Sequence, residues 1–286
     1  MRYFRTAGDD GPHVIVARDE THYDLTAGPD RISSVYELAA AARLTGETID
    51  EVTGELLADA PTVDTVDDPL PPYEIEEAWA AGVTYAISEQ AREEESSMAD
   101  VYLRVFDHER PELFFKATGR RLVGPNDAVG IRADSTWDVP EPELAVVLWR
   151  GEPIGYTIGN DMSSRSIEGE NPLYLPQAKV YDRCCAVGPC LASADEIGDP
   201  HELVMSMQIR RDDEVVFDDE TNTDQMVRTC EELTSYLTRH NDLPDRTVLL
   251  TGTSLVPPES FTLHPGDTVD ITIENIGTLS NHVVEV

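Results

Sequence analysis

The apolar positions of the chain alternate first, then recur with a helical period, and then alternate again for most of its length. HVIVA (13–17) and HYDLT (22–26), separated by the charged turn RDE (18–20), predict a β-hairpin near the start. Behind it, VYELAAAARL (35–44) has Ser33 or Ser34 to cap it and Gly46 to stop it, and Ile49–Leu57 is a second amphipathic stretch. The proline- and acid-rich run APTVDTVDDPLPPYEIEE keeps neither period, so residues 58–77 read as a linker or extended crossing. From residue 78 on, ELFFK, AVGIRA, ELAVVLW, EPIGYTIGND, LVMSMQIRR, TVLLTG and TVDITIENIG predict strands, and only 88–95 and 223–240 predict helices. The expected fold is α+β and mainly β, with a small N-terminal domain (1–72) and a larger mixed β domain (73–286).

Composition narrows the picture. With 40% hydrophobic residues in 286, the chain can bury a core. Its 56 acidic against 21 basic residues leave a formal charge of −35, which excludes nucleic acid and anionic membrane as partners. Nineteen of the basic residues are arginines; the two lysines are Lys116 and Lys179. An acidic, lysine-poor surface suits a cytoplasm of very high salt, where self-repulsion is screened. The two surviving lysines then become candidates for site chemistry. Cys184, Cys185, Cys190 and Cys230 form no CxxC pair and read as packing residues. The longest apolar run, 144–149, is too short to span a bilayer, and the opening residues lack a signal-peptide core, so a cytoplasmic protein is expected.

Nucleophile elbows, nucleotide-binding glycine motifs and histidine metal spacings are missing. The positive signal is Glu141-Pro-Glu143, whose two carboxylates point to one face of an entering strand. Like charges side by side call for a cation between them, and Asp161, ending GYTIGND, would supply a third oxygen ligand. Arg165 and Lys179 follow downstream, and Thr253 stands just past the strand TVLLTG. In ELFFK, alternation puts Glu112, Phe114 and Lys116 on one face.

In their order, ExE-LAVV (141–147), GYTIGNDMSSR (155–165), K-x-x-D…GP (179–189), TGT (251–253), HPGD (264–267) and IGTLSN (276–281) resemble the fumarylacetoacetate hydrolase superfamily. VYLRVFDHERPELFFKATG (101–119) and DSTWDVPEPEL (134–144) resemble its 2-keto-3-deoxy-D-arabinonate (equivalently xylonate) dehydratase branch, of archaeal pentose breakdown. The resemblance implies a C-terminal mixed β-roll with its site at one end of the sheets, and a homo-oligomer, dimer or tetramer. It implies Glu141, Glu143 and Asp161 as ligands of Mg²⁺ or another divalent cation such as Ca²⁺ or Mn²⁺. It also implies Lys179 and Glu112 as the proton-transfer pair, and Thr253, Arg165, Ser88, Glu89 and Lys116 as contacts of a small 2-keto acid.

Hydrolases of the superfamily carry an NYADHAxE-like segment whose histidine helps activate water, and the matching stretch here, 84–93, has no histidine. Dehydration, which needs no external nucleophile, is therefore expected: a base, Lys179 or Glu112, takes the C3 proton and the C4 hydroxyl leaves as water. A lysine base needs a lowered pKa, which burial is expected to provide. An acylpyruvate hydrolase or oxaloacetate decarboxylase, a Schiff-base lyase using Lys179, and a non-catalytic metal-binding protein stand as alternatives.

Overall fold

A computed structural model of the chain describes residues 1–9, 11–66, 69–86, 105–106 and 108–286. The expected hairpin is present and extended by one strand: β1 (Arg2–Thr6), β2 (His13–Arg18) and β3 (Thr21–Asp24) run antiparallel. Asp19 takes a left-handed φ of 54° in the connecting turn. Ser34 caps α1 (Val35–Thr45), and Gly46, at φ 76°, ends it. A capping box between Thr48 and Glu51 opens α2 (Ile49–Leu56).

The run 58–77 departs from its reading as a linker. β4 (Thr62–Val63) pairs with β3, and β5 (Pro69–Leu70) pairs with β1. Tyr73 is buried among the N-terminal apolar residues. Proline at a strand edge needs no ladder partner, so a Pro-rich segment can close a sheet margin without showing a strand period.

The remaining strands are β6 (Glu77–Gly82), β7 (Glu112–Thr118), β8 (Leu122–Val123), β9 (Ala128–Ile131), β10 (Asp138–Val139), β11 (Pro142–Trp149), β12 (Glu152–Asp161), β13 (Ser163–Ser164), β14 (Cys185–Ala192), β15 (Val204–Arg211), β16 (Glu214–Asn222), β17 (Arg246–Leu250), β18 (Thr268–Ile273) and β19 (Gly277–Glu285). The main sheet has the order β4-β3-β2-β1-β14-β12-β11-β17-β6-β7, with β5 attached to β1 and β8 to β14. A second sheet has the order β16-β15-β18-β19-β9, and β10 pairs with β13. Parallel pairs (β17 with β6, β19 with β9) occur among antiparallel ones, so the sheets are mixed.

Two apolar clusters hold this together. The larger joins Leu144, Val146, Leu148, Ile158 and Leu250 of the main sheet to Met205, Met207, Ile209, Ile271 and Leu279 of the second. Burial on both faces explains why β11 is an unbroken apolar run from residue 144 on. The smaller cluster packs Tyr3, Val14, Val16, Val35, Leu38 and Leu57 onto Val147 and Leu191. β14, all eight residues buried, was not visible in the strand pattern because CAVGPCLA is poor in β-branched and aromatic residues. The helix expected over 223–240 is shorter, a 3₁₀ turn at Thr223–Gln225 and then a helix Cys230–Thr238 that Thr229 caps. Among the described residues, no helix is long and apolar enough to cross a membrane.

Candidate functional site

Register builds the site. β11 and β12 are antiparallel, with Glu143 opposite Gly159 and Pro142 opposite Asn160. The next step places Asp161 across from Glu141, and the Asp161 N–H donates to the Glu141 carbonyl at 2.9 Å. Opposed residues share a face, as do residues two apart, so Glu141, Glu143 and Asp161 project together from one end of the main sheet. One carboxylate oxygen from each lies within 4.8 Å of the other two, and the three residues are 7%, 1% and 1% exposed.

Both lysines of the chain are buried here. Lys179 ends a short helix, Leu175–Lys179, and its Nζ donates to Glu141 Oε2 at 2.7 Å, Asp161 Oδ2 at 3.0 Å and Ser163 Oγ at 2.6 Å. Lys116, wholly buried on β7, donates to the carbonyls of Met162 (2.8 Å) and Lys179 (2.5 Å) and forms an ion pair with Asp161 Oδ1 at 2.5 Å. It thus reaches the site from the protein side and holds Asp161 and the backbone of Lys179.

The face expected on β7 is the one observed. The Phe114 ring lies 5.7 Å from Lys179 Nζ, and Glu112, opposite Gly82, lies over the side-chain space that glycine leaves empty. Arg165, opening the helix Arg165–Glu170, contacts Glu141 Oε1 at 2.8 Å and the buried Glu168 at 3.7 Å. Beyond β17, Gly252 takes φ 86°, and its N–H donates to Glu143 Oε2 at 2.5 Å. Thr253 follows directly, its Oγ1 accepting from the Leu255 N–H. Ser88 and Glu89 lie outside the described residues.

Three residues were missed in the sequence reading: Ser163, Glu168 and Gly252. Ser163 had a signal, since it stands two positions after Asp161 on an extended segment. Glu168 had none beyond its i,i+3 spacing from Arg165.

The electrostatics follow from crowding. Burial pushes Glu143 well above the ordinary carboxylate range, and the charges of Asp161 and Glu141 push the same way. Burial opposes ionisation of Glu141 too, but Lys179 and Arg165 prevail and hold it at about 2. Burial raises Glu112, with Lys179 partly offsetting it. For Lys179 the expected lowering is reversed: burial disfavours the ammonium, but Asp161 and Glu141 outweigh it and raise the pKa.

This donor set suits a hard divalent cation, being all oxygen, convergent and buried. Glu141 Oε1 and Asp161 Oδ1 each meet one cation, Arg165 at 2.8 Å and Lys116 at 2.5 Å, and a carboxylate oxygen with one such partner keeps a second lone pair for a ligand.

Comparison with known proteins agrees with this geometry. The family model "Fumarylacetoacetate (FAA) hydrolase C-terminal" matches residues 78–284. The chain is 58% identical over 292 aligned positions, covering all of both chains, to a probable 2-keto-3-deoxyxylonate dehydratase of Haloferax volcanii. It is 46% identical to the 2-dehydro-3-deoxy-D-arabinonate dehydratase of Saccharolobus solfataricus, over 73% of this chain and 72% of that one. A solved 2-keto-3-deoxy-D-arabinonate dehydratase, complexed with magnesium and 2,5-dioxopentanoate, superposes with a TM-score of 0.84 at 36% identity, over 100% of this chain and 99% of that one.

Proposed function

The chain belongs to the fumarylacetoacetate hydrolase family, and we propose that it is a metal-dependent hydro-lyase acting on 2-keto-3-deoxy-D-pentonate, the arabinonate or xylonate compound. The product is 2,5-dioxopentanoate, and the reaction belongs to oxidative pentose catabolism. The observation that carries this reading is the convergence of three buried carboxylates with both lysines of the chain.

Glu141, Glu143 and Asp161 would hold the cation, magnesium in the solved relative. Bound there, a divalent cation would supply Lewis acidity toward a 2-keto acid and make its C3 proton easier to remove. Lys179 and Glu112 share the proton traffic: one receives the C3 proton, the other protonates the departing C4 hydroxyl, and the resulting 5-hydroxy-2-oxo-3-enoate loses a proton from C5 and gains one at C3, giving an enol that tautomerises to the 5-aldehyde. Arg165 braces Glu141, and Lys116 braces Asp161. Thr253, with Ser88 and Glu89, orients the substrate.

The apolar cluster of Tyr3, Val14, Val16, Val35, Leu38 and Leu57 supports treating 1–72 as a small domain that packs through Tyr73, Val147 and Leu191 onto the catalytic one, 73–286. A cytoplasmic, salt-adapted homo-oligomer completes the reading. Its test is product formation from 2-keto-3-deoxy-D-pentonate in molar KCl, after EDTA treatment and again with Mg²⁺ restored. Metal-dependent 2,5-dioxopentanoate is expected. Pyruvate, or no product at all, would sink the reading in favour of C–C cleavage or binding alone.

A further inference from the structure

We propose that Ser163 is a positioning residue that fixes the direction of the Lys179 amine. This rests on the reading above, in which Lys179 handles a substrate proton. A lysine head group sits on four rotatable bonds, and losing that freedom requires fixed partners. Two of the three partners of Lys179 Nζ are Glu141 and Asp161, the carboxylates a cation would share. The third and shortest contact, 2.6 Å, is to Ser163 Oγ, which would hold no metal.

Ser163 is built to be rigid. It is 0% exposed, its backbone pairs with Val139 in the β10–β13 ladder, and its own O–H donates to the Asp161 carbonyl at 3.0 Å. With that hydroxyl hydrogen committed, Oγ can only accept, so toward Lys179 it has one role. Lys116 donates to the Lys179 carbonyl and anchors the other end of the residue. The amine is therefore fixed at its backbone and at one N–H, whatever the carboxylates are doing.

The neighbouring Ser164 supplies the control. Its Oγ caps the helix Arg165–Glu170 and bonds Ser135, away from Lys179. Ser163→Ala is expected to lower kcat by about tenfold or more, with KM, Mg²⁺ affinity and melting temperature near wild type, and Ser163→Thr to restore most of the loss. A kcat within about twofold of wild type in Ser163→Ala would overturn the proposal.

A second measurement does not depend on turnover. Because the chain has two lysines, ¹⁵N-lysine-labelled protein gives two Nζ resonances, which Lys179→Arg assigns. Ser163→Ala should shift or broaden the Lys179 signal and leave that of Lys116 in place, while Ser164→Ala should leave both. An unchanged Lys179 signal refutes the positioning role. Lack of any dehydration by the wild-type protein counts instead against the dehydratase reading.

Discussion

Acidic residues are crowded in two places in this molecule, and the physics differs completely between them. At the β15–β16 hairpin, Asp212, Asp213, Glu214, Asp218, Asp219 and Glu220 all face solvent. At the joint of β11 and β12, Glu141, Glu143 and Asp161 are all buried. Outside, water and salt screen the repulsion over about 10 Å or less. Inside there is no such screen, so the charges of Glu141 and Asp161 are matched by fixed partners, Lys116, Lys179 and Arg165, while Glu143 accepts the Gly252 N–H and is pushed toward its neutral form. The same distinction explains the lysine count. The surface does without lysine, and the two that remain stand where a compact ammonium is wedged among carboxylates.

The most severe way to break this comparison is to neutralise an inner carboxylate. Asp161→Asn should cut kcat/KM by about 10³-fold or more, since it removes a proposed metal ligand and the shared partner of both lysines. It should also weaken Mg²⁺ binding by about tenfold or more. Steady-state kinetics and Mg²⁺ titration read the two effects. Wild-type affinity in this variant would remove Asp161 from the metal site.

Next in size are the two residues proposed for proton transfer. Lys179→Met and Glu112→Gln are each expected to lower kcat by about 10²–10⁴-fold. Mg²⁺ binding should persist in both. A Glu112→Gln enzyme within about threefold of wild-type kcat would mean that Glu112 is only a half-buried carboxylate at the site's margin.

A smaller effect sharpens the electrostatic contrast. Glu143 has its folded-state pKa raised, so it tends to hold a proton that a cation must displace. Mg²⁺ affinity should therefore rise with pH, by up to about tenfold per unit, until the pH exceeds that pKa. Titration calorimetry in two buffers of different ionisation enthalpy should show proton release on binding. A pH-independent affinity with no released proton would contradict the crowding argument.

The inner site was legible to the extent that period-two alternation and ordered motifs could carry it. Glu141, Glu143 and Asp161 follow from alternation plus strand register, and Glu112 and Lys116 from the face of ELFFK. The direction of the Lys179 shift could not be read, because burial and carboxylate attraction oppose each other and only distances decide between them. Gly252 is another case: its role is a backbone N–H aimed at Glu143, which no side-chain pattern announces. In the fold, the short edge strands β4 and β5 and the Ala/Cys-rich β14 escaped because tertiary pairing, not propensity, makes them strands.

The smallest predicted effect is on the outer cluster, and it completes the contrast. Glu214 and Glu220 are exposed on the edge strand β16. A Glu214→Gln, Glu220→Gln double variant should change stability in molar KCl by less than about 0.5 kcal/mol, as surface substitutions do. Removing two charges from a total of −35 relieves self-repulsion, so the variant should keep its fold at lower KCl than the wild type. Thermal melts across a KCl series measure both effects. A destabilisation as large as that from unpairing an inner charge, about 3–5 kcal/mol, would mean that the hairpin charges are bound to partners and that its acidity is not a solvated face.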